Sequence, residues 1–205
     1  MSTLKQAATI TDSSARTARV AVTAIFFTNG ALIANWFARI PDVKQQLGLS
    51  EGTLSIALLS MAVGALLSQP ATGWLIGKKG SRLMTTIMAL AFCATLLLPG
   101  LATSLPLLML ALLLVGAANG ALDVSMNAQA ALVEQRYARS IMNSFHAFWS
   151  VGGLIGAAVG AFAVSRGLTV ANHFMLIAAA GIVIMFVAIR GLLPDGPAPA
   201  SHEPA

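Results

Sequence analysis

The 205-residue chain is 57% hydrophobic and only 9% charged, and its mean hydropathy is +0.82. Soluble proteins carry roughly 25% charged residues, so these values exclude a soluble enzyme as the default. They also exclude a disordered chain, which needs low hydrophobicity and high charge. The net charge of +5 comes from basic residues spread thinly along the chain, so no nucleic-acid partner is expected. The expected surroundings are the lipid bilayer.

Few residues in the sequence are suited to catalysis or metal binding. The single cysteine, Cys93, lies in an apolar run and has no second cysteine to pair with, so neither a disulfide nor a metal cluster is predicted. Phosphate-loop and zinc-protease motifs are absent from the sequence. We therefore predict no enzyme activity, no cofactor and no metal site, and a membrane enzyme is a weak alternative.

Taken from the N-terminus, the chain begins with a polar, Ser/Thr-rich segment and continues into long apolar runs. A transmembrane helix needs about 20 mostly apolar residues. Six such runs occur, at Val20–Ala38, Thr53–Ile76, Leu83–Thr103, Leu105–Ala131, Ile141–Ser165 and Val170–Ile189. The sequence predicts an all-α membrane protein with a polar tail at residues 1–19, a six-helix transmembrane bundle at 20–191 and a proline-rich tail at 192–205.

The connectors hold almost every charged residue. The longest one is expected over residues 41–52, where Ser50 is placed to cap the second span and Glu51 suits the positive end of its dipole. The connector at residues 101–106 is very short, so spans three and four are predicted to form a tight antiparallel hairpin.

The basic residues predict the orientation of the bundle. With a cytoplasmic N-terminus, nine of the twelve Lys and Arg residues fall on the inside and only Arg39, Lys44 and Arg166 fall outside. Because Lys and Arg in short loops favour the cytoplasmic side, both termini are predicted to be cytoplasmic.

The fourth span carries a polar row. Asn119, Asp123 and Asn127 follow one another at intervals of four residues, which places them on one helical face. The two amides are suited either to bridging neighbouring helices or to binding a solute. Asp123 is a different case, because an ionised carboxylate in hydrocarbon is costly and usually marks a functional site. We predict that Asp123 carries a proton.

Two other spans place polar residues at a similar depth. Asn29 lies in the first span, and His146 and Trp149 lie near the start of the fifth. His146 is either a structural hydrogen-bonding residue or a proton relay, and Trp149 is either a packing residue or a stacking surface for a sugar-like ring. With the polar row of the fourth span, they predict a shared polar layer.

Further residues favour packing or an interfacial position. Gly152, Gly156 and Gly160 form a stripe that lets another helix approach closely. Trp36 and Arg39 are typical of anchors at a membrane interface, and an outer gate formed with Asn35 is the alternative. His173 is expected to be interfacial as well.

The connector between spans two and three reads GWLIGKKGSR. It resembles the G-x-L-x-D-[RK]-x-G-[RK]-[RK] signature of the major facilitator superfamily. The matching positions are Gly73, Leu75, Lys78, Gly80 and Arg82. Two positions depart from the signature, since Gly77 replaces an acid and Ser81 replaces a basic residue. In the family that acid contributes to a gating contact with the other half of the transporter.

Three longer stretches strengthen the resemblance: NWFARIPDVKQQLGLS, GAANGALDVSMNAQA and NSFHAFWSVGGLIGA. They are similar to the bacterial branch of the superfamily that includes fucose permease. That resemblance implies a multi-pass protein of the bacterial inner membrane. It also implies proton-coupled symport of a small polar solute such as a sugar, with Asp123 at the position of the family's membrane-buried acid.

The resemblance covers only the N-terminal six helices of a twelve-helix fold. It implies the N-terminal half of a secondary active transporter, in which Asn29, Asn119, Asn127 and Trp149 bind the solute and Asp123 and His146 couple it to protons. The expected partner is a second six-helix half or a second copy of the chain. The alternative is a truncated or accessory membrane protein that transports nothing itself and docks on another membrane subunit through its glycine faces.

Overall fold

The computed structural model describes the backbone of residues 2–137 and 139–195 and the side chains of residues 14–137 and 139–195. Nearly all of the described chain is helical. The helices are α1 (Ser2–Gln46), α2 (Glu51–Lys79), α3 (Ser81–Thr95), α4 (Leu98–Leu101), α5 (Leu105–Tyr137), α6 (Met142–Ser165) and α7 (Val170–Ala188), and a 3-10 turn (Ile189–Gly191) follows α7.

Six helical segments of the described chain are long and apolar enough to cross a bilayer. They are Ser14–Gln46, Glu51–Lys79, Ser81–Leu101, Leu105–Tyr137, Met142–Ser165 and Val170–Gly191. Large apolar side chains cover their outer surface, among them Leu67 at 69% exposed and Leu154 at 73% exposed. Such a surface suits lipid rather than water. The predicted fold class, an all-α membrane protein with six spans, is confirmed.

Two helix pairs form the bundle, α1 with α6 and α2 with α5, and α1 also contacts α3, α5 and α7. Glycines let both pairs approach to backbone contact. A Cβ added at Gly156 of α6 would lie 2.1 Å from the Ala31 carbonyl oxygen of α1. One added at Gly116 of α5 would lie 1.9 Å from the Met61 carbonyl oxygen of α2. Helix α1 therefore packs directly on the glycine stripe of α6.

The α1–α2 connector is shorter than predicted. α1 continues through Pro41 to Gln46, although proline removes a helical hydrogen bond and crowds the preceding turn. Contacts on either side of Pro41 hold the helix: Arg39 Nε lies 3.3 Å from Asp42 Oδ2, and Val43 is 1% exposed. The predicted cap of α2 is present, with the Thr53 N–H donating to Ser50 Oγ at 3.2 Å.

Two other boundaries differ from the sequence predictions. The third span has a short break between α3 and α4, at Leu96 and Leu97, because Pro99 in the first turn of α4 has no N–H to donate to the carbonyl four residues before it. At the N-terminus, α1 begins at Ser2, inside the segment expected to be a tail. Of the expected C-terminal tail, residues 196–205 lie outside the described residues.

Candidate functional site: a polar wall across three spans

Helices α1, α5 and α6 bring the predicted site residues together. We call this set the polar wall. It consists of Asn29, Asn119, Asp123, Asn127, His146 and Trp149. The four-residue spacing on α5 and the close approach of α6 to α1 place their side chains side by side.

A chain of hydrogen bonds joins the three helices. The Trp149 indole N–H donates to Asn29 Oδ1 at 2.8 Å, and Asn29 Nδ2 donates to Asn119 Oδ1 at 2.8 Å. Asn29 is 3% exposed, whereas Asn119 is only partly buried. Asn29 therefore bridges the helices, and Asn119 and the Trp149 ring form the accessible part of this chain.

Asp123 lies one turn further along α5 and is half-buried. Asn127 Nδ2 donates to Asp123 Oδ1 at 3.1 Å and to the Asp123 carbonyl oxygen at 2.8 Å. His146 of α6 lies within electrostatic range of the carboxylate, and its ring makes an edge contact with Phe26 at 5.3 Å between centroids. Among the described residues, no Lys or Arg forms a salt bridge with Asp123. An acid in this position can take up and release a proton.

The wall has an open side. His146, Trp149 and Ser150 are exposed, and Trp149 retains 39% of its accessible surface despite its hydrogen bond. An indole face, an amide, a carboxyl group and an imidazole therefore lie along one surface. Hydroxyl groups of a small solute can hydrogen-bond to such a surface, and an apolar ring face can stack on the indole.

The residues of the connector signature lie at one end of the bundle. Gly73 and Leu75 are on α2, and a Cβ at Gly73 would meet nothing within 4 Å. Lys78 Nζ lies 3.8 Å from the centre of the Trp74 ring, a cation–π contact. Gly80 separates α2 from α3, and Arg82 lies in the first turn of α3. A Cβ at Gly77 would also meet nothing within 4 Å. The glycine that replaces the acid of the signature therefore leaves no cavity in the structure.

Asp195, which the sequence reasoning missed, contacts this connector. It accepts hydrogen bonds at the start of α3 from Ser81 Oγ and the Ser81 N–H at 2.6 Å and from the Arg82 N–H at 3.1 Å. Partial burial favours a higher pKa for Asp195, but these hydrogen bonds outweigh it and hold the pKa below its ordinary value. The carboxylate is thus ionised at neutral pH.

Three expectations are wrong at the end of the bundle opposite the α2–α3 connector. Trp36 is fully buried and Arg39 is 2% exposed, so neither is an interface anchor. Arg39 Nη2 donates to the Leu168 carbonyl at 2.7 Å, in a turn whose Gly167 has a φ of +68° that suits glycine. His173 is 2% exposed rather than interfacial. The Arg39 hydrogen bond joins α1 to the α6–α7 connector.

Metal ligands do not cluster in the part of the chain that the structure describes. No group of three or more His, Cys, Asp or Glu side chains there is placed to hold a metal ion.

Comparison with known proteins agrees with this architecture. The profile of the Major Facilitator Superfamily matches residues 20–205. The chain belongs to the Major Facilitator Superfamily. Members of this superfamily are membrane transporters, which confirms the prediction that the chain is not an enzyme.

Three relatives show how much of a superfamily protein the chain represents. It is 37% identical over 172 residues to an uncharacterized transporter of Sinorhizobium fredii, covering 84% of the chain and 44% of the relative. It is 34% identical over 168 residues to an uncharacterized MFS-type transporter of Yersinia pestis, covering 82% of the chain and 44% of the relative. It is 38% identical over 141 residues to membrane protein MosC of Rhizobium meliloti, covering 67% of the chain and 35% of the relative.

The chain thus spans less than half the length of these relatives. None of their names mentions fucose or another sugar, so the fucose permease branch stays a prediction.

Proposed function

We propose that the chain is the N-terminal half of a secondary active transporter that moves a small polar solute, such as a sugar, together with protons. The observation that supports this most strongly is the half-buried Asp123 beside Asn127 and His146, on a wall whose other side is open. Superfamily transporters bind their solute between two six-helix halves near the middle of the membrane. The polar wall has the composition expected of one side of such a site.

In this proposal the wall residues have separate tasks. Asp123 takes up the proton, and His146 exchanges it with the aqueous side. Asn119 and Asn127 hydrogen-bond to the solute, and the Trp149 ring stacks on it. Asn29 fixes Trp149 and Asn119 in place through its two hydrogen bonds. The partner is a second six-helix half, or a second copy of the chain, that closes the open side of the wall.

Packing of α6 weakens the alternative of an accessory protein without transport. That alternative needs free glycine faces on which another membrane protein docks. A Cβ at Gly152 would lie 2.1 Å from the Phe27 carbonyl oxygen, and one at Gly160 would lie 2.5 Å from Ala38 Cβ. Since α1 already covers this stripe, the stripe offers no docking face.

The proposal is tested in a chimera. Residues 20–191 replace the matched segment of the Sinorhizobium fredii relative, and the product is reconstituted in vesicles. We expect one member of a panel of sugars and sugar alcohols to drive proton movement that a protonophore abolishes. Vesicles holding the present chain alone distinguish the two partners: no proton movement is expected if the partner is a separate second half, and movement there would indicate a second copy of the chain. Solute uptake without proton movement would refute the coupling, and absence of both from a folded chimera would refute transport of these solutes.

We also propose that both termini and the α2–α3 connector are cytoplasmic in the bacterial inner membrane. Lys79→Cys and Gln46→Cys are suitable reporters, because both positions are exposed and lie at opposite ends of the bundle. In a Cys93→Ala background, a membrane-impermeant maleimide added to intact cells is expected to label Gln46→Cys and to leave Lys79→Cys unlabelled until the cells are opened. The reverse pattern would invert the orientation.

A further inference from the structure

The segment after the last span, Leu192–Asp195, folds back against the bundle. Leu192 and Leu193 are each 3% exposed. Gln129 of α5 pairs with the backbone of Leu193 in both directions. The Leu193 N–H donates to Gln129 Oε1 at 3.1 Å, and Gln129 Nε2 donates to the Leu193 carbonyl at 3.1 Å. Both polar backbone groups of Leu193 are therefore satisfied by one side chain, which fixes the segment to α5.

Asp195 fixes the same segment to α3. The first N–H groups of a helix have no partner within the helix, and the residue before α3, Gly80, has no side chain to bind them. The two oxygens of Asp195 accept from the N–H groups of Ser81 and Arg82 instead. Asp195 thus supplies from a distant part of the chain the helix cap that the local sequence lacks.

The connector is shaped to receive this carboxylate. Gly80 has φ +86° and ψ 156°, a backbone conformation that is essentially restricted to glycine. A Cβ at Gly80 would lie 2.2 Å from Asp195 Oδ2, so any other residue would displace the carboxylate. Gln129 Nε2 also donates to Ser81 Oγ at 2.8 Å. Ser81 therefore links the two anchors of the segment.

We propose that Leu192–Asp195 is a strap that fastens the inner ends of α3, α5 and α7 into one body, with the Asp195 carboxylate as its lock. Ser81 supports this assignment, because it departs from the basic residue of the connector signature and is the side chain that both Asp195 and Gln129 contact. The role is conformational, and it holds for any solute and coupling ion.

Hydrogen exchange on the full chain tests the lock. In Asp195→Asn the charge and one acceptor oxygen are lost, and the Ser81 and Arg82 amides are expected to exchange about tenfold faster, the effect of losing one hydrogen bond to a charged acceptor. Asp42→Asn, the same substitution at the other end of the bundle, is the matched control and is expected to leave these amides unchanged. Ser81→Ala removes only the hydroxyl contacts and is expected to give a smaller increase.

Thiol labelling tests whether the lock holds the whole strap. In a Cys93→Ala background, the buried Leu193→Cys thiol is expected to react slowly with a water-soluble maleimide, and about tenfold faster when Asp195→Asn is added, since one hydrogen bond to a charged acceptor is lost. Unchanged exchange at Ser81 and Arg82 in Asp195→Asn would overturn the proposal. Faster exchange with Leu193→Cys still protected would also overturn it, because Asp195 would then cap α3 without holding the strap.

Discussion

Asp123→Asn is expected to reduce uphill accumulation of the solute by the chimera to the background of empty vesicles. Exchange of solute between the two sides, which needs no net proton movement, is expected to fall by less than about tenfold, the effect of altering one hydrogen bond. Asparagine is nearly isosteric with aspartic acid and cheaper to bury than a carboxylate. The bundle should therefore fold while the proton site is lost. Counterflow and gradient-driven uptake, measured on the same vesicles, separate the two effects.

The control for this variant is Asp42→Asn, which removes an acid near the C-terminal end of α1, away from the polar wall. It is expected to leave the ratio of uphill accumulation to exchange unchanged. If Asp123 were only a hydrogen-bond acceptor for Asn127, Asp123→Asn would instead lower thermal stability and keep the ratio. A stable Asp123→Asn protein with unchanged proton-driven uptake would remove Asp123 from the mechanism.

Gly116→Ala is expected to destabilise the purified chain by about 1–3 kcal/mol, the usual cost of forcing an extra methyl group into a packed contact. The new Cβ would lie 1.9 Å from the Met61 carbonyl oxygen, and a backbone atom cannot move aside as a flexible side chain can. The α2–α5 pair would have to separate. Thermal unfolding in detergent and the yield of monodisperse protein measure the effect.

Gly73→Ala is the matched control for this prediction. Both glycines lie within helices, so alanine brings a similar gain in helix propensity of about 1 kcal/mol at each. A Cβ at Gly73, however, would meet nothing within 4 Å. Gly73→Ala is therefore expected to keep or raise the melting temperature. Equal melting temperatures for the two variants would contradict the close α2–α5 packing.

Most of the fold was predictable from the sequence, because the bilayer imposes one simple rule on composition and length. Runs of about 20 apolar residues must be helices, since lipid offers the backbone no hydrogen-bond partners. Two errors lie at prolines, for opposite reasons. Pro41 favours a break, but Arg39 binds the Leu168 carbonyl and Asp42 and so supports the continued helix. Pro99 interrupts the third span although its neighbours are apolar.

The polar wall was predictable in part. A four-residue spacing places Asn119, Asp123 and Asn127 on one face whatever the rest of the fold does. Asn29 and Asn119, which form a hydrogen bond, are 90 residues apart in the sequence. Counting residues from the ends of the spans predicted that the two side chains lie at a similar depth, but it could not predict their contact. Asp195 had no such signal, because it lies in a proline-rich segment without periodicity. The one available sign was Gln129, a polar residue near the end of an apolar span.

The most direct test of the account is whether the carboxyl group of Asp123 changes its protonation when solute binds. Infrared difference spectra of the chimera, recorded with and without the solute found in the proton-movement assay, report this change in the carboxylic acid C=O band. We predict a band in the unmodified protein that is absent in Asp123→Asn and retained in Asp42→Asn. A band of equal intensity in Asp123→Asn would show that another group carries the proton and would contradict the account.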